Sequence, residues 1–135
     1  MAGGIAYLDT SALVKLVVQE PESDALVAAL PRWSERVTST LAEVELLRAI
    51  RRVETGTRLA RRAREVLAQL HLLEVDAFVR QAAAALDAPM LRSLDAIHLA
   101  SALTLGGELG VFVGYDRRLL DAAAAAGLSV AMPGR

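Results

Sequence analysis

The sequence predicts an α/β protein, a three-layer α/β/α sandwich around a central, mostly parallel sheet of about five short strands. Short apolar runs of strand length alternate along the chain with longer segments in which apolar residues recur at helical spacing. Hydrophobic residues make up 54% of the 135 residues, which suffices for the core of one domain spanning residues 1–135. Strands that alternate with helices pair in parallel and leave helices on both faces of the sheet.

The predicted strands are short apolar runs and cover residues 5–8, 36–38, 72–75, 111–114 and 129–131. The predicted helices have apolar residues three and four positions apart and cover residues 11–19, 22–30, 41–53, 58–70, 77–86, 94–105 and 117–126. Pro21 and Pro31 close the first two helices, and Gly127 is placed as the C-terminal cap of the last. The second strand is weak and two helices separate the third strand from the fourth, so the pattern does not predict the strand order.

Composition excludes several classes of protein. The chain has no cysteine, which excludes a disulfide framework and a thiolate zinc site. No uninterrupted apolar run is long enough to span a membrane, so we expect a soluble, cytoplasmic protein. The net charge of −1 argues against a protein that binds polyanions through bulk charge. Arginines clustered between positions 48 and 64 form either the solvated face of two helices or a local patch that contacts phosphate.

Four acidic residues occupy positions that meet in this class of fold. Asp9 and Asp116 follow predicted strands, whereas Glu43 and Asp95 lie in the first turn of predicted helices. Each also has a capping alternative, such as a capping box between Thr40 and Glu43. The carboxyl ends of parallel strands and the starts of the following helices converge on one edge of a sheet, where ligand clefts form. We therefore predict that the four carboxylates share one site.

Such a cluster of carboxylates predicts a metal site. Like charges at short distances repel one another, and a bound divalent cation relieves that repulsion. Oxygen-only ligands favour Mg²⁺ or Mn²⁺ over zinc. Such a cation could orient a water molecule and neutralise charge that develops on a phosphodiester. We predict that Asp9, Asp95 and Asp116 bind the cation and that Glu43 assists directly or through water.

Three polar residues near these acids each have two possible roles. Thr10 and Ser11 could cap the first helix or hold a water molecule or phosphate at the site. Arg92 could contact phosphate or support the site through an ion pair. Both uses place these three side chains beside the acidic cluster.

Other candidates in the same segments are expected to lie outside the site. Glu45 is two residues from Glu43, so we expect it to point elsewhere on the helix. Asp121 lies within the last helix, where a surface position is expected. His98 could be a base, but a single histidine on an apolar helix is more often a packed, hydrogen-bonded residue.

Four segments resemble the motifs of the PIN-domain nucleases. Leu-Asp-Thr-Ser-Ala-Leu-Val-Lys at 8–15 resembles their opening motif, and Glu-Val-Glu-Leu-Leu-Arg-Ala at 43–49 resembles the helix with the second acid, assigned to Glu43. Arg-Ser-Leu-Asp-Ala-Ile-His-Leu-Ala at 92–100 is similar to the segment that carries the third acid. Phe-Val-Gly-Tyr-Asp-Arg-Arg-Leu at 112–119 resembles the strand before the fourth, although Gly114 stands where threonine or a similar residue is common.

The resemblance extends from residue 5 to residue 134 and is greatest to the VapC-type toxins of toxin–antitoxin pairs. It implies a PIN-like fold and Mg²⁺- or Mn²⁺-dependent endoribonuclease activity on RNA. It also implies homodimer formation and inhibition by a small, VapB-like antitoxin protein.

Two alternatives remain open at this point. A haloacid-dehalogenase-like phosphatase also has an aspartate after its first strand, but it uses a second aspartate two positions later, where this chain has Ser11. A non-catalytic interaction domain with a PIN-like fold would keep partner binding without chemistry. The presence of all four acidic residues favours the nuclease.

Overall fold

Residues 4–135, which the computed structural model describes, form a five-stranded parallel sheet with helices on both faces. The strands are β1 (Ile5–Leu8), β2 (Glu35–Ser39), β3 (His71–Leu73), β4 (Leu109–Val113) and β5 (Val130–Ala131). The helices are α1 (Thr10–Val17), α2 (Ser23–Ala29), α3 (Thr40–Val53), α4 (Thr57–Ala68), α5 (Ala77–Ala84), α6 (Ser93–Leu103) and α7 (Arg117–Ala125). The predicted α/β/α class is confirmed.

Strand β1 lies at the centre of the sheet, whose order is β3-β2-β1-β4-β5. Along the chain, β2 and β3 are added on one side of β1, and β4 and β5 on the other. The direction of winding therefore reverses between β1 and β4, where Leu8 pairs with Val113. In open parallel sheets the carboxyl edge at such a reversal is where ligands bind.

Alternate residues of β1 build two separate cores. Ala6 and Leu8 pack in the cluster formed with α1 to α4, whereas the fully buried Tyr7 packs on the opposite face with α6 and α7. Tyr7 stacks on Phe112 of β4 with ring centroids 5.3 Å apart. Because successive strand residues point to opposite faces, a single strand supports both layers of helices.

Helix ends differ slightly from the predicted ones. Pro31 does not stop α2 outright, because the chain continues through a short 3₁₀ turn, Leu30–Arg32, in which proline at an early position loses no hydrogen bond. The prediction for Gly127 is confirmed, since its φ of +93° lets the Leu128 N–H reach the carbonyl of Ala123. In residues 4–135 no helix combines the length and apolar character that crossing a membrane requires.

Candidate active site

The candidate site lies at the carboxyl edge of β1 and β4, where α1, α3, α6 and α7 begin. Asp9 directly follows β1, and its backbone N–H donates a 3.1 Å hydrogen bond to the carbonyl of Val113 in β4. Asp116 follows β4 and caps α7, and Asp95 lies in the first turn of α6. The structure therefore places these three predicted site residues at one edge of the sheet.

Asp9 is a buried carboxylate with fixed hydrogen bonds. Its Oδ1 accepts from the hydroxyl of Ser11 at 2.6 Å and from the N–H of Ala12 at 3.0 Å, so it is also the N-cap of α1. Burial, with a smaller contribution from the negative charge of Asp95, raises the pKa of Asp9 to about 6 despite the opposing effect of the Ser11 hydrogen bond. Capping and membership of the acidic cluster are therefore compatible for this residue.

Gly114 lets the Asp9 carboxylate lie against the end of β4. A Cβ atom at position 114 would come within 2.5 Å of Oδ2 and 2.9 Å of Oδ1 of Asp9. Contacts that short are repulsive, so the glycine is needed for the carboxylate to stay where Ser11 and Ala12 hold it. The departure from the family pattern at this position thus has a steric consequence.

We expect Gly114→Ala to lower the free energy of unfolding by about 1–3 kcal/mol, because the added methyl group displaces a buried, hydrogen-bonded carboxylate. Urea denaturation would measure this change. Gly107→Ala is the matched control, since a Cβ there has no atom within 4 Å. Equal stability of the two variants would contradict the steric role of Gly114.

Asp95 and Asp116 share one cationic neighbour. The guanidinium of Arg92 lies 3.6 Å from Asp95 Oδ2 and 3.8 Å from Asp116 Oδ2, and it is 79% exposed. Burial and then the charge of Asp116 raise the pKa of Asp95, and Arg92 opposes them only in part. The ion-pair role predicted for Arg92 is thus present, and its exposure leaves the guanidinium accessible to phosphate.

The structure does not bring Glu43 to this cluster. The expected capping box is absent because the N-cap of α3 is Ser39, whose hydroxyl accepts from the N–H of Leu41. Glu43 is exposed and lies beside Arg64 and Leu72 at the outer surface. The prediction that Glu43 lies in the site was therefore wrong, because Glu43 projects from an exposed side of α3.

Glu45 takes the place predicted for Glu43. Its Oε1 accepts from the Thr10 hydroxyl at 2.6 Å and lies 2.7 Å from Nε2 of His98. Burial raises the pKa of Glu45, but the hydrogen bonds from His98 and Thr10 outweigh it and hold the pKa below its usual value. The negative charge of Glu45 also raises the pKa of Asp95, which places Glu45 within electrostatic reach of the cluster.

His98 is buried between Glu45 and Tyr7. Its Nδ1 lies 2.7 Å from the Tyr7 hydroxyl, and burial raises the pKa of Tyr7. The neutral phenol can therefore donate to Nδ1, which leaves Nε2–H to donate to Glu45. The packed, hydrogen-bonded role predicted for His98 is confirmed, and its contact with Glu45 fixes the orientation of that carboxylate.

A helical projection does not distinguish the two glutamates. The buried residues of α3 are Ala42, Leu46 and Ile50, and their directions span about 80° at about 100° per residue. Glu43 lies about 60° from the middle of this buried stripe on one side, and Glu45 lies about 100° from it on the other. The angle at which α3 packs on the sheet therefore decides which glutamate faces the acidic cluster.

Ser11 connects the acidic cluster to the segment that follows β4. Its hydroxyl donates to Asp9 and accepts from the N–H of Tyr115 at 2.8 Å. The Tyr115 ring lies under the ammonium of Lys15, 4.8 Å from the ring centroid, and its hydroxyl donates to the carbonyl of Pro133. Ser11 therefore supports the cluster through these contacts, whereas Thr10 is directed towards Glu45.

The clustered arginines lie on the exposed faces of α3 and α4. The exposed arginines of α3 and α4 are Arg48, Arg51, Arg52, Arg58, Arg61, Arg62 and Arg64. Arg58 pairs with Glu54 at 3.0 Å, and Arg62 donates to the carbonyl of Leu16. Their position on a solvated helix face is confirmed, and contact with phosphate stays a prediction.

The donor set fits a hard divalent cation. Asp9, Asp95 and Asp116 offer only oxygen ligands, and burial, together with neighbouring carboxylates, raises the pKa values of Asp9 and Asp95. Within residues 4–135, no group of three or more acidic or histidine side chains is already arranged as a metal site. Hydrogen bonds hold Asp9, and Arg92 contacts both Asp95 and Asp116, so binding a cation requires these side chains to adjust.

Comparison with known proteins identifies the family. The model of the PIN domain family matches residues 6–125. The chain is 51% identical to Ribonuclease VapC35 and 47% identical to Ribonuclease VapC46, both of Mycobacterium tuberculosis, with at least 94% of this chain and 96% of each relative covered. A protein in a toxin–antitoxin complex from Klebsiella pneumoniae has the same fold, with a TM-score of 0.71, 22% identity, and 95% of this chain and 97% of that chain covered. The chain therefore belongs to the PIN-domain family and is similar to VapC ribonucleases.

Proposed function

We propose that this protein is a Mg²⁺- or Mn²⁺-dependent endoribonuclease that hydrolyses RNA phosphodiesters. The observation that carries the proposal is the group of acidic side chains at the reversal between β1 and β4, where Asp9 and Asp95 retain raised pKa values. A cation that binds carboxylates in this way also attracts a phosphodiester. The names of the VapC relatives, which are ribonucleases, support RNA as the substrate.

Asp9, Asp95 and Asp116 are the proposed metal ligands, and Glu45 replaces Glu43 as the fourth acidic residue. The bound cation would supply Lewis-acid chemistry, which promotes ionisation of water and neutralises charge on the phosphoryl group. Glu45, oriented by His98 and Thr10, is placed to accept a proton from the attacking water. Its lowered pKa keeps Glu45 ionised, as a proton acceptor must be.

The remaining residues position the site. Ser11 holds one oxygen of Asp9 and the backbone of Tyr115, so it fixes the distance between the ends of β1 and β4. The exposed guanidinium of Arg92 is placed to contact the phosphate once the cation neutralises Asp95 and Asp116. A water molecule or phosphate could also bind at the hydroxyl of Thr10, although that hydroxyl already donates to Glu45.

We also propose that the protein is the toxin of a VapBC-like pair, acts in the cytoplasm and forms a homodimer. The similarity to VapC proteins and to a member of a toxin–antitoxin complex supports a small VapB-like antitoxin as partner. Co-expression of the chain with the product of a short adjacent reading frame, followed by affinity purification, tests this partner. A toxin would co-purify with that product and cleave less RNA in the complex than alone.

The direct test of the nuclease is cleavage of RNA by the purified chain with Mg²⁺ or Mn²⁺, and with EDTA as the control. We expect EDTA to abolish cleavage because the acidic side chains alone cannot neutralise a phosphoryl group. A folded protein that binds RNA but cleaves none with either metal would favour the non-catalytic interaction domain. Cleavage that is unchanged in EDTA would contradict the metal-dependent mechanism.

Metal affinity should depend on pH because protons compete with the cation at Asp9. With a pKa of about 6, Asp9 is protonated at lower pH, and the apparent affinity for Mn²⁺ should fall about tenfold per pH unit below that value. Above a pH of about 6, Asp9 is ionised and the affinity for Mn²⁺ no longer changes with pH through this residue. Calorimetric titration with Mn²⁺ at several pH values between 5 and 8 measures this profile. Equal affinity at pH 5 and pH 7 would contradict it.

A further inference from the structure

A surface cavity of about 420 Å³ adjoins the acidic cluster. Its walls come from the loop before α6 and from the first turns of α7, and we call it the side pocket. Asp95 belongs both to the cluster and to the lining of the side pocket, as does its neighbour Arg92. A ligand in the side pocket would therefore touch the proposed catalytic centre. Its volume is within the range of roughly 300–1,000 Å³ that small-molecule sites occupy.

The lining of the side pocket contains both apolar and charged residues. Pro89, Leu91 and Ala122 provide an apolar wall, and the side chain of Met90 is 91% exposed beside it. Arg92 and Arg118 contribute two cations to the same lining, and Arg92 lies beside Asp95. An apolar wall next to two arginines matches a nucleotide, whose base is flat and apolar on its faces and whose phosphates are anionic.

Asp121 adds a hydrogen-bond acceptor to this lining. Its carboxylate lies on the second turn of α7 and is exposed, with no role in the acidic cluster described above. An ionised carboxylate has two oxygens that only accept hydrogen bonds. Guanine is the base whose pairing edge presents two adjacent N–H donors, whereas the other bases place an acceptor beside their donor.

We propose that the side pocket binds one unpaired nucleotide of the RNA next to the bond that is cleaved, and that Asp121 makes guanine the preferred base. The base lies against Pro89, Leu91 and Met90, and Arg118 and Arg92 contact the flanking phosphates. This inference rests on the proposed ribonuclease function and adds a base-recognition site to it. The side pocket thereby sets where in an RNA the enzyme cuts.

Binding can be tested without cleavage. The chain has three methionines, so ¹³C-methyl labelling gives Met90 a resolvable NMR signal, and Met132 near the end of the chain is an internal reference. The full-length protein is titrated in EDTA with short oligouridylates that carry guanine, adenine, cytosine or uracil at one central position. We expect the Met90 signal to shift while the Met132 signal does not, and guanine to bind about 10-fold to 100-fold more tightly than the other bases.

Variants separate base recognition from general RNA binding. Asp121→Asn should remove the preference for guanine, because the amide offers one acceptor and one donor in place of two acceptors. Asp24→Asn is the matched control, an exposed aspartate on α2 outside the side pocket. The control should keep the guanine preference. Cleavage of the same RNAs with Mn²⁺ should show the same order of bases as binding.

Two outcomes would overturn the inference while leaving the proposed function intact. One is RNA cleavage by a protein whose Met90 signal does not respond to RNA. The other is a base preference that is the same in Asp121→Asn and the wild type. Conversely, the protein could show a guanine-dependent shift of Met90 and cleave no RNA with either metal. That result would support nucleotide binding in the side pocket and contradict the proposed ribonuclease activity.

Discussion

Asp9→Asn is expected to lower the rate of RNA cleavage by more than about 100-fold and, at the same time, to make the metal-free protein more stable by about 2 kcal/mol at neutral pH. The first effect follows because the amide is a poorer metal ligand than the carboxylate. The second follows because Asp9 is buried with a pKa raised to about 6, so its ionised form is less favourable in the folded chain than in the unfolded chain.

The sign of the stability change can be checked against pH. A rise of the pKa from 3.8 to about 6 corresponds to about 3 kcal/mol of instability when Asp9 is ionised in the fold. The folded chain binds more protons than the unfolded chain between these two values, so wild-type stability falls as pH rises from about 4 to about 6. Asparagine keeps one acceptor for Ser11 and Ala12, so we expect most of this instability to be removed.

Urea denaturation in EDTA at pH 7 and pH 4 would measure this effect. The stability advantage of Asp9→Asn should be largest at pH 7 and small at pH 4, where Asp9 is protonated in the folded chain and only partly ionised in the unfolded chain. Adding Mg²⁺ should stabilise the wild type and not the variant, since a ligand that binds only the folded state raises the free energy of unfolding with the logarithm of its affinity. A variant less stable than the wild type at pH 7 in EDTA would contradict the unfavourable burial of this charge.

The second large effect is expected from a pair of substitutions two residues apart. Glu45→Gln should reduce cleavage by more than about 100-fold, whereas Glu43→Gln should leave it unchanged. Glu45 accepts hydrogen bonds from Thr10 and His98 near Asp95, whereas Glu43 is exposed beside Arg64. The neutral amide at position 45 cannot accept a proton from water.

The two glutamine variants control for one another, because both change one glutamate of α3 to its isosteric amide. Single-turnover cleavage rates with Mn²⁺ measure the chemical step, and circular dichroism verifies that both variants fold. If Glu43→Gln lost activity and Glu45→Gln kept it, the assignment of Glu45 would be wrong. Equal losses would contradict the distinction drawn between Glu45 and Glu43.

The fold was largely predictable because its elements have strong local patterns. Each predicted strand overlaps an observed strand, and the helix boundaries differ by a few residues at most. The order of the strands was not predictable, since it depends on how distant segments pack and β4 enters the sheet beside β1. Periodicity indicates which face of an element is buried and does not indicate which element covers it.

The site residues that could be predicted are those at strand ends and helix starts, because the fold class fixes where such positions lie. Asp9, Asp95 and Asp116 follow strands or begin helices, and the fold brings such positions to one edge of the sheet. Glu45 was missed because the choice between two acids on α3 depends on the angle at which that helix packs. Its partner His98 lies 53 positions away, so no local pattern reports their contact.

The order of the strands also has a consequence for a chain that is still being synthesised. β1 emerges before its neighbour β4, and α1 to α6, β2 and β3 lie between the two strands in the sequence. Ser11 and Tyr115, whose contact joins the two strand ends, are 104 positions apart. Until Asp116 has left the ribosome, Asp9 has no β4 backbone to lie against and no second strand-end carboxylate beside it. A nascent chain that lacks β4 therefore carries an open edge at β1 and an incomplete acidic cluster.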